Sequence, residues 1–213
     1  CKTSRLMPQV SGDAVSVAEQ VPPFVRHQLS PGNAGRMYGM YQVGDWIVYG
    51  NTGVCRVVAI KTVDSSWIGD ARLCYVLEPL SQSYTISTPV TNKKVFTRPV
   101  ISKKEAERLV DQIPLIEARA YHSSRVQELA EHYKSFVATH DCADLIELTM
   151  SLYAKKQQVG EQKSKFGAID QKFMKQAEDL LFDELSVALG ISRETVPEYI
   201  ASRVGDRRWP EER

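Results

Sequence analysis

The sequence predicts an α+β protein, a small N-terminal β-barrel followed by an all-α helical domain. Three observations carry this reading. From Tyr41 the chain breaks into short β-rich runs separated by turn residues at near-regular spacing, the pattern of a compact barrel. After Pro99, apolar residues recur at helical spacing almost to the end. With 43% hydrophobic and 25% charged residues, the 213-residue chain also has an ordinary globular composition and enough apolar surface to bury a core.

Residues 1–39 precede this pattern. Val21-Pro22-Pro23 and Pro31-Gly32-Asn33 interrupt any periodicity, and no basic-then-apolar signal pattern stands out, so a disordered extension is expected. The β module follows over 40–100. Val43-Gly44-Asp45 leads into a strand at Trp46-Ile47-Val48-Tyr49, and Gly50-Asn51-Thr52-Gly53 supplies glycines that tolerate positive φ. In the next strand, Val54 to Ile60, period-2 alternation places Cys55, Val57 and Ala59 on one face and Val54, Arg56, Val58 and Ile60 on the other. Leu73–Leu77 and Tyr84–Thr88 read as two further strands. Asp64 to Asp70 is a loop whose Trp67 is either tucked back as a lid or left out for a partner.

The helical domain is expected over 101–205. Ser102 with Glu105 three residues on is a capping-box arrangement that opens a helix at Lys103–Asp111, and the chain turns at Ile113-Pro114. Leu115 to about Ala138 is a second helix or a broken pair. From Cys142 to Gln158, Leu145, Leu148 and Leu152 with Ile146, Met150 and Tyr153 form a wide apolar stripe. Ile169, Phe173, Ala177, Leu181, Leu185 and Ala188 repeat it in a longer helix. Both stripes read as core. Leu189 to Ile200, with Gly190 at a turn and Ser192 as a cap, matches locally the turn and second helix of a helix-turn-helix. Two helices packing end to end explain the same residues, and Pro197, Glu194 and Glu198 sit badly in a recognition helix. A frayed tail is expected at 206–213.

The net charge of +1 lacks the strong basic excess that usually marks a dedicated nucleic-acid binder. Any DNA contact must therefore come from a local patch. The candidate patch is Lys155, Lys156, Lys163 and Lys165, with Lys172 and Lys175 on the following helix and only Glu161 and Asp170 as acidic residues in the interval. The same residues also fit an ordinary solvated surface.

Catalytic chemistry finds little support. Of His27, His122, His132 and His140, only His140-Asp141-Cys142 gathers several ligand types, and adjacent side chains point apart, so this reads as a capping turn. No phosphate-cradling glycine loop and no Gly-x-Ser-x-Gly elbow occurs. The expectation is a non-enzyme with no cofactor and no metal. Cys1, Cys55, Cys74 and Cys142 form no Cys-x-x-Cys pair, which favours a reducing, cytoplasmic setting. No apolar run is long enough to span a bilayer, and no membrane partner is expected.

The run Met40-Tyr41-Gln42-Val43-Gly44-Asp45-Trp46-Ile47-Val48-Tyr49, then Asn51-Thr52-Gly53-Val54 and Val58-Ala59-Ile60, resembles the opening of the bacterial CarD family. Tyr75-Val76-Leu77 and Ile86-Ser87-Thr88-Pro89-Val90 resemble two later strands of that family, and Ala177, Leu181, Glu184 and Leu185 fall at matching places of its long helix. The resemblance spans roughly Met40 to Leu189. It implies a Tudor/SH3-like barrel that binds the RNA polymerase β subunit by strand addition, the module also found in the transcription-repair coupling factor. Ile60, Val63, Ile86, Ser87 and Thr88 are the candidate polymerase-binding residues. Better-known members also carry a Trp that wedges against the minor groove of promoter DNA. The aligned stretch here, near Tyr121 to Ala130, has no Trp, which leaves Tyr121 and Arg125 as partial substitutes beside the lysine patch.

The resulting expectation is a monomeric transcription regulator that grips polymerase through its barrel and weakly contacts promoter DNA through its helices, modulating open-complex stability. A sequence-specific helix-turn-helix repressor and a polymerase-interaction module without DNA contact are the alternatives.

Overall fold

A computed structural model describes residues 41–64, 71–161 and 165–205. The expectations for residues 1–39, the Trp67 loop, Lys163 and the tail fall outside them. The first elements are strands: β1 Trp46–Tyr49, β2 Gly53–Asp64, β3 Ala71–Pro79, β4 Ile86–Pro89 and β5 Thr97–Pro99. They form one antiparallel sheet in the order β4-β3-β2-β1-β5. Five helices follow: α1 Lys103–Gln112, α2 Val126–Ala138, α3 Cys142–Glu161, α4 Ala168–Leu189 and α5 Val196–Val204. The class is α+β.

The expected barrel does not close. Strands β4 and β5 are the two edges, and no ladder joins them among the described residues. Both are too short to zip together, and each is blunted: β4 ends in Pro89, which lacks an N–H, and β5 is committed to the helices through Arg98.

Period-2 alternation governs β1. Ile47 and Tyr49 join Cys55, Val57, Tyr75 and Leu77 in a small cluster on one face of the sheet, while Val48 and its partner Val54 are buried on the other. In β2 the alternation expected from sequence fails at one point. The register with β3 passes from Val57↔Leu77 to Ala59↔Val76, so Val58 is an extra residue in a β-bulge. The bulge reverses parity, and Ile60, not Ala59, packs against the cluster that holds Cys55 and Val57.

The turn from β1 to β2 requires its glycines. Gly53 has φ +84°, and a Cβ there would lie 2.9 Å from Leu180 Cδ2 of α4, so its missing side chain is what lets the strand start directly on the helix. Sheet and helices accordingly pack as one compact unit from Tyr41 onward.

Helix α1 is capped as expected on one side only: Glu105 N–H donates to Ser102 Oγ at 3.2 Å, but the Glu105 carboxylate turns to Arg108 and does not complete the box. Helix α2 begins only at Val126. Residues 116–125 are an irregular strap, held to α3 where Ser151 Oγ donates to the Arg119 carbonyl (2.7 Å) and His122 meets Gln158 (3.2 Å). Asp141 Oδ1 accepts the Ala143 N–H at 2.8 Å, so the His140-Asp141-Cys142 run is indeed a capping turn. No group of three His, Cys, Asp or Glu side chains that could hold a metal occurs among the described residues.

Both apolar stripes form the helical core, with Leu145, Leu148, Leu152, Phe173, Ala177, Leu181 and Leu185 all buried. Helix α4 ends at Gly190, whose left-handed φ of +70° lets its own N–H and that of Ile191 reach the Ser186 carbonyl. Pro197 lies in the first turn of α5, where it is tolerated, and Val196 and Ile200 bury that helix against the core. No described helix is long and apolar enough to cross a membrane.

Candidate functional site

The five residues expected to face a protein partner divide sharply. Ile60 and Ile86 pack on the small sheet cluster, and Thr88 is buried with its Oγ1 accepting from Asn92 Nδ2 at 3.0 Å. Thr88 is thus enclosed, while Ile60 and Ile86 support the sheet and remain partly exposed. Val63, 44% exposed, and Ser87 face outward.

The main chain around Ser87 is the more informative feature. Val90 N–H donates to the Leu73 carbonyl at 3.0 Å, and hydrogen-bonded pairs alternate along an antiparallel ladder. In the register Tyr75↔Thr88, Val76↔Ser87, Leu77↔Ile86, the N–H and C=O of Ser87 therefore point away from β3. Pro89 supplies no donor, and its carbonyl already accepts the Asn92 N–H (2.9 Å). The open edge is short and centred on Ser87. A second unpaired edge lies on the projecting end of β2, where Lys61, Thr62, Val63 and Asp64 pair with β3 alone.

Among the candidate DNA-binding residues the largest correction concerns Lys155. It is only 6% exposed, and its Nζ lies 2.8 Å from Asp170 Oδ1 and 3.2 Å from the Tyr133 hydroxyl, which itself donates to Asp170 at 2.8 Å. This triad ties α2, α3 and α4 together, and the lysine charge is spent inside the core. The apolar neighbours Leu152 and Tyr153 hint at it, since Lys155 lies three residues beyond a core leucine.

Lys156 and Lys165 are exposed, as are Lys172 and Lys175 on α4. Arg125 is exposed and pairs with Glu128 at 2.8 Å. Tyr121 is half-buried and stacks on His132 with ring centroids 3.8 Å apart, and His132 in turn meets Phe136 edge-on.

The residues that hold these two surfaces together were missed from sequence. Arg98 on β5 makes a two-point ion pair with Glu184 of α4 and donates to the His140 carbonyl from Nε (3.0 Å) and Nη2 (2.7 Å). Glu184 also accepts the Ile101 N–H (3.1 Å) and the Cys142 thiol (3.1 Å). Burial, reinforced by Glu184, pushes that thiol well above its ordinary value and keeps it a donor. The sequence did hold a signal: Glu184 follows Leu181 by three residues, a carboxylate in a core position of the α4 stripe.

Two histidines pack at α2 and the turn that follows it. His140, at φ +55°, stacks on Phe96 with centroids 4.8 Å apart, and burial and then Arg98 lower its pKa; burial lowers that of His132 despite Glu147. Groups with depressed folded pKa values take up protons more readily when unfolded. Their contribution is therefore complete above about pH 6.5 and is lost as the pH falls below it. Urea midpoints should fall between about pH 7.5 and about pH 5.5, and the drop should shrink in the His132→Gln, His140→Gln double variant. Asp183, whose pKa burial raises, acts in the opposite sense.

Residues 41–101 match the family model described as the CarD-like/TRCF RID domain. No curated protein gives a significant match to the chain.

Proposed function

We infer that this chain, with its CarD-like domain at residues 41–101, is an RNA polymerase-interacting transcription factor that docks on the polymerase β subunit by strand addition at β4. The observation that carries the reading is the coincidence of that domain with an open edge at Ser87. Ser87 supplies a side chain beside it, Val63 lies on the separate unpaired end of β2, and the other edge strand, β5, is closed off by Arg98 and the helices.

The helical half meets promoter DNA through Lys156, Lys165, Lys172 and Lys175, with Arg125 and Tyr121 as subsidiary contacts. Four exposed ammonium groups on a protein of net charge +1 give weak, sequence-neutral affinity, so DNA is engaged mainly once polymerase has delivered the protein to it. A factor that holds polymerase and DNA better in the open complex than in the closed one shifts the equilibrium toward open without any chemistry. It acts as a cytoplasmic monomer.

The test uses the full chain, because the sheet is anchored to α4 through Gly53 and Arg98. Ser87→Pro removes the outward N–H along with the serine hydroxyl, and the edge position tolerates proline. Co-purification with the isolated polymerase β lobe is expected for the native chain and at least about tenfold weaker for the variant, with an unchanged thermal midpoint. Equal retention of both proteins would remove β4 from the interface, and no retention of either would overturn the function.

A further inference from the structure

The chain between β4 and β5 passes from one edge of the sheet to the other, and its backbone is pinned along the way. Val90 and Val95 pack on the sheet cluster, and the Phe96 carbonyl accepts the Gly50 N–H at 2.8 Å. Asn92 closes the turn between them. Its N–H donates to the Pro89 carbonyl (2.9 Å), its Nδ2 donates to Thr88 Oγ1 (3.0 Å), and its Oδ1 accepts the Lys94 N–H (2.9 Å). This fixed frame presents one aromatic ring and two ammonium groups to solvent. Phe96 is 45% exposed. One face of its ring lies on His140 of the α2–α3 turn at an interplanar angle of 17°, so the exposed share falls on the opposite face and the rim. Lys93 and Lys94 are exposed, and neither makes an ion pair among the described residues. Residues 79–104 carry five cations and no carboxylate, and Arg98 is the one of these held by Glu184. Asp141 adjoins His140, but its Oδ1 is taken by the Ala143 N–H.

An open aromatic face beside unpaired ammonium groups is the chemistry that holds an unstacked base and its phosphates. We propose that Phe96, backed by His140, stacks a base of single-stranded nucleic acid whose neighbouring phosphates lie on Lys93 and Lys94. At most about 7 Å of extended chain separates Lys94 from Phe96, so one nucleotide can meet both. A duplex cannot use the ring, because its base faces are already stacked and only its phosphates reach the lysines. The ring asks nothing of base identity, and the contact is sequence-tolerant. The site adjoins β5, the edge opposite β4 in the sheet order, and uses none of the lysines of α3 and α4. It therefore adds a contact for unpaired strand and stands or falls independently of strand addition at Ser87.

The probe is an oligothymidylate of about twelve nucleotides with one central 2-aminopurine, whose fluorescence is quenched on stacking, titrated with the full chain at about 50 mM salt. Binding with quenching is expected for the native chain. Phe96→Ala should weaken binding at least about fivefold, the low end of what one base–aromatic stack supplies, and remove the quenching. Phe96→Trp keeps a ring on His140 and should retain both, which separates loss of the stack from a defect in folding. The Lys93→Gln, Lys94→Gln double variant should still quench at saturation, with a salt slope shallower by about 1.4, the value for two phosphates of a single strand. The ribose counterpart should bind alike, since neither ring nor ammonium reads a 2′-hydroxyl, and the annealed duplex should be indifferent to Phe96→Ala. Native binding without quenching, unchanged single-strand binding in Phe96→Ala, loss in Phe96→Trp, an equal effect of Phe96→Ala on the duplex, or a marked preference between ribose and deoxyribose would each overturn the proposal.

Discussion

Replacing Glu184 by Ala is expected to lower unfolding stability by about 3–5 kcal/mol, read as a shift of the urea midpoint, because removal of one partner strands a charge that was desolvated to pair with it. Arg98 is 22% exposed and Glu184 2%, so the loss falls on the less buried partner, and the lower half of that range is the expectation. The variant also releases the Ile101 N–H and the Cys142 thiol. Glu184→Gln keeps an acceptor for those two donors and should recover part of the loss. These contacts join β5, the α2–α3 turn and α4, so on the proposed function polymerase binding and DNA contact should weaken together in Glu184→Ala. A variant that lost one and kept the other would mean that the two halves communicate by another route.

Charge reversal at adjacent lysines gives the second large contrast. Lys155→Glu places a second carboxylate against Asp170 inside the core and is expected to cost more than the roughly 3–5 kcal/mol of a broken buried pair, enough to unfold a typical domain. Lys156→Glu, one residue on and exposed, should change stability by no more than about 0.5 kcal/mol. On the proposed function it should shorten open-complex lifetime. An unchanged lifetime in a folded Lys156→Glu protein would count against the DNA face. A melt of each variant has to accompany the transcription assay, since a loss of activity in Lys155→Glu reports on folding alone.

The same pair of lysines marks where sequence reasoning reaches its limit. Lys155 and Lys156 stand side by side in a basic run and differ by about a hundred degrees around α3. Helical spacing puts Lys155 on the side of Leu152, but the partners that hold its buried ammonium, Tyr133 and Asp170, come from two other helices. Ile60 and Ala59 exchanged roles for a related reason: alternation specifies a face only while the ladder has no insertion, and the bulge at Val58 is a property of β2 against β3. The failure of the barrel to close belongs here as well. The sequence predicts no strand at Thr97–Pro99, and the contacts that Arg98 of β5 makes with His140 and Glu184 depend on chain segments 42 and 86 residues away.

What the sequence determined by itself was local and periodic. The β texture from Tyr41, the helical stripes through Leu148, Leu152, Phe173 and Leu181, the Ser102 cap and the glycine turn at Gly190 all rest on backbone preference or on the repeat of one element. The structure bears these out. The resemblance carried in Met40 to Tyr49 is likewise a property of letters in order, and the domain match at residues 41–101 agrees with it. The tertiary structure decided what depends on facing partners: which strand edge stays open, which lysines are free, and that Arg98 meets Glu184. Burial and electrostatic pairing are settled between elements distant in sequence, and the pattern of any one element holds no record of what it packs against.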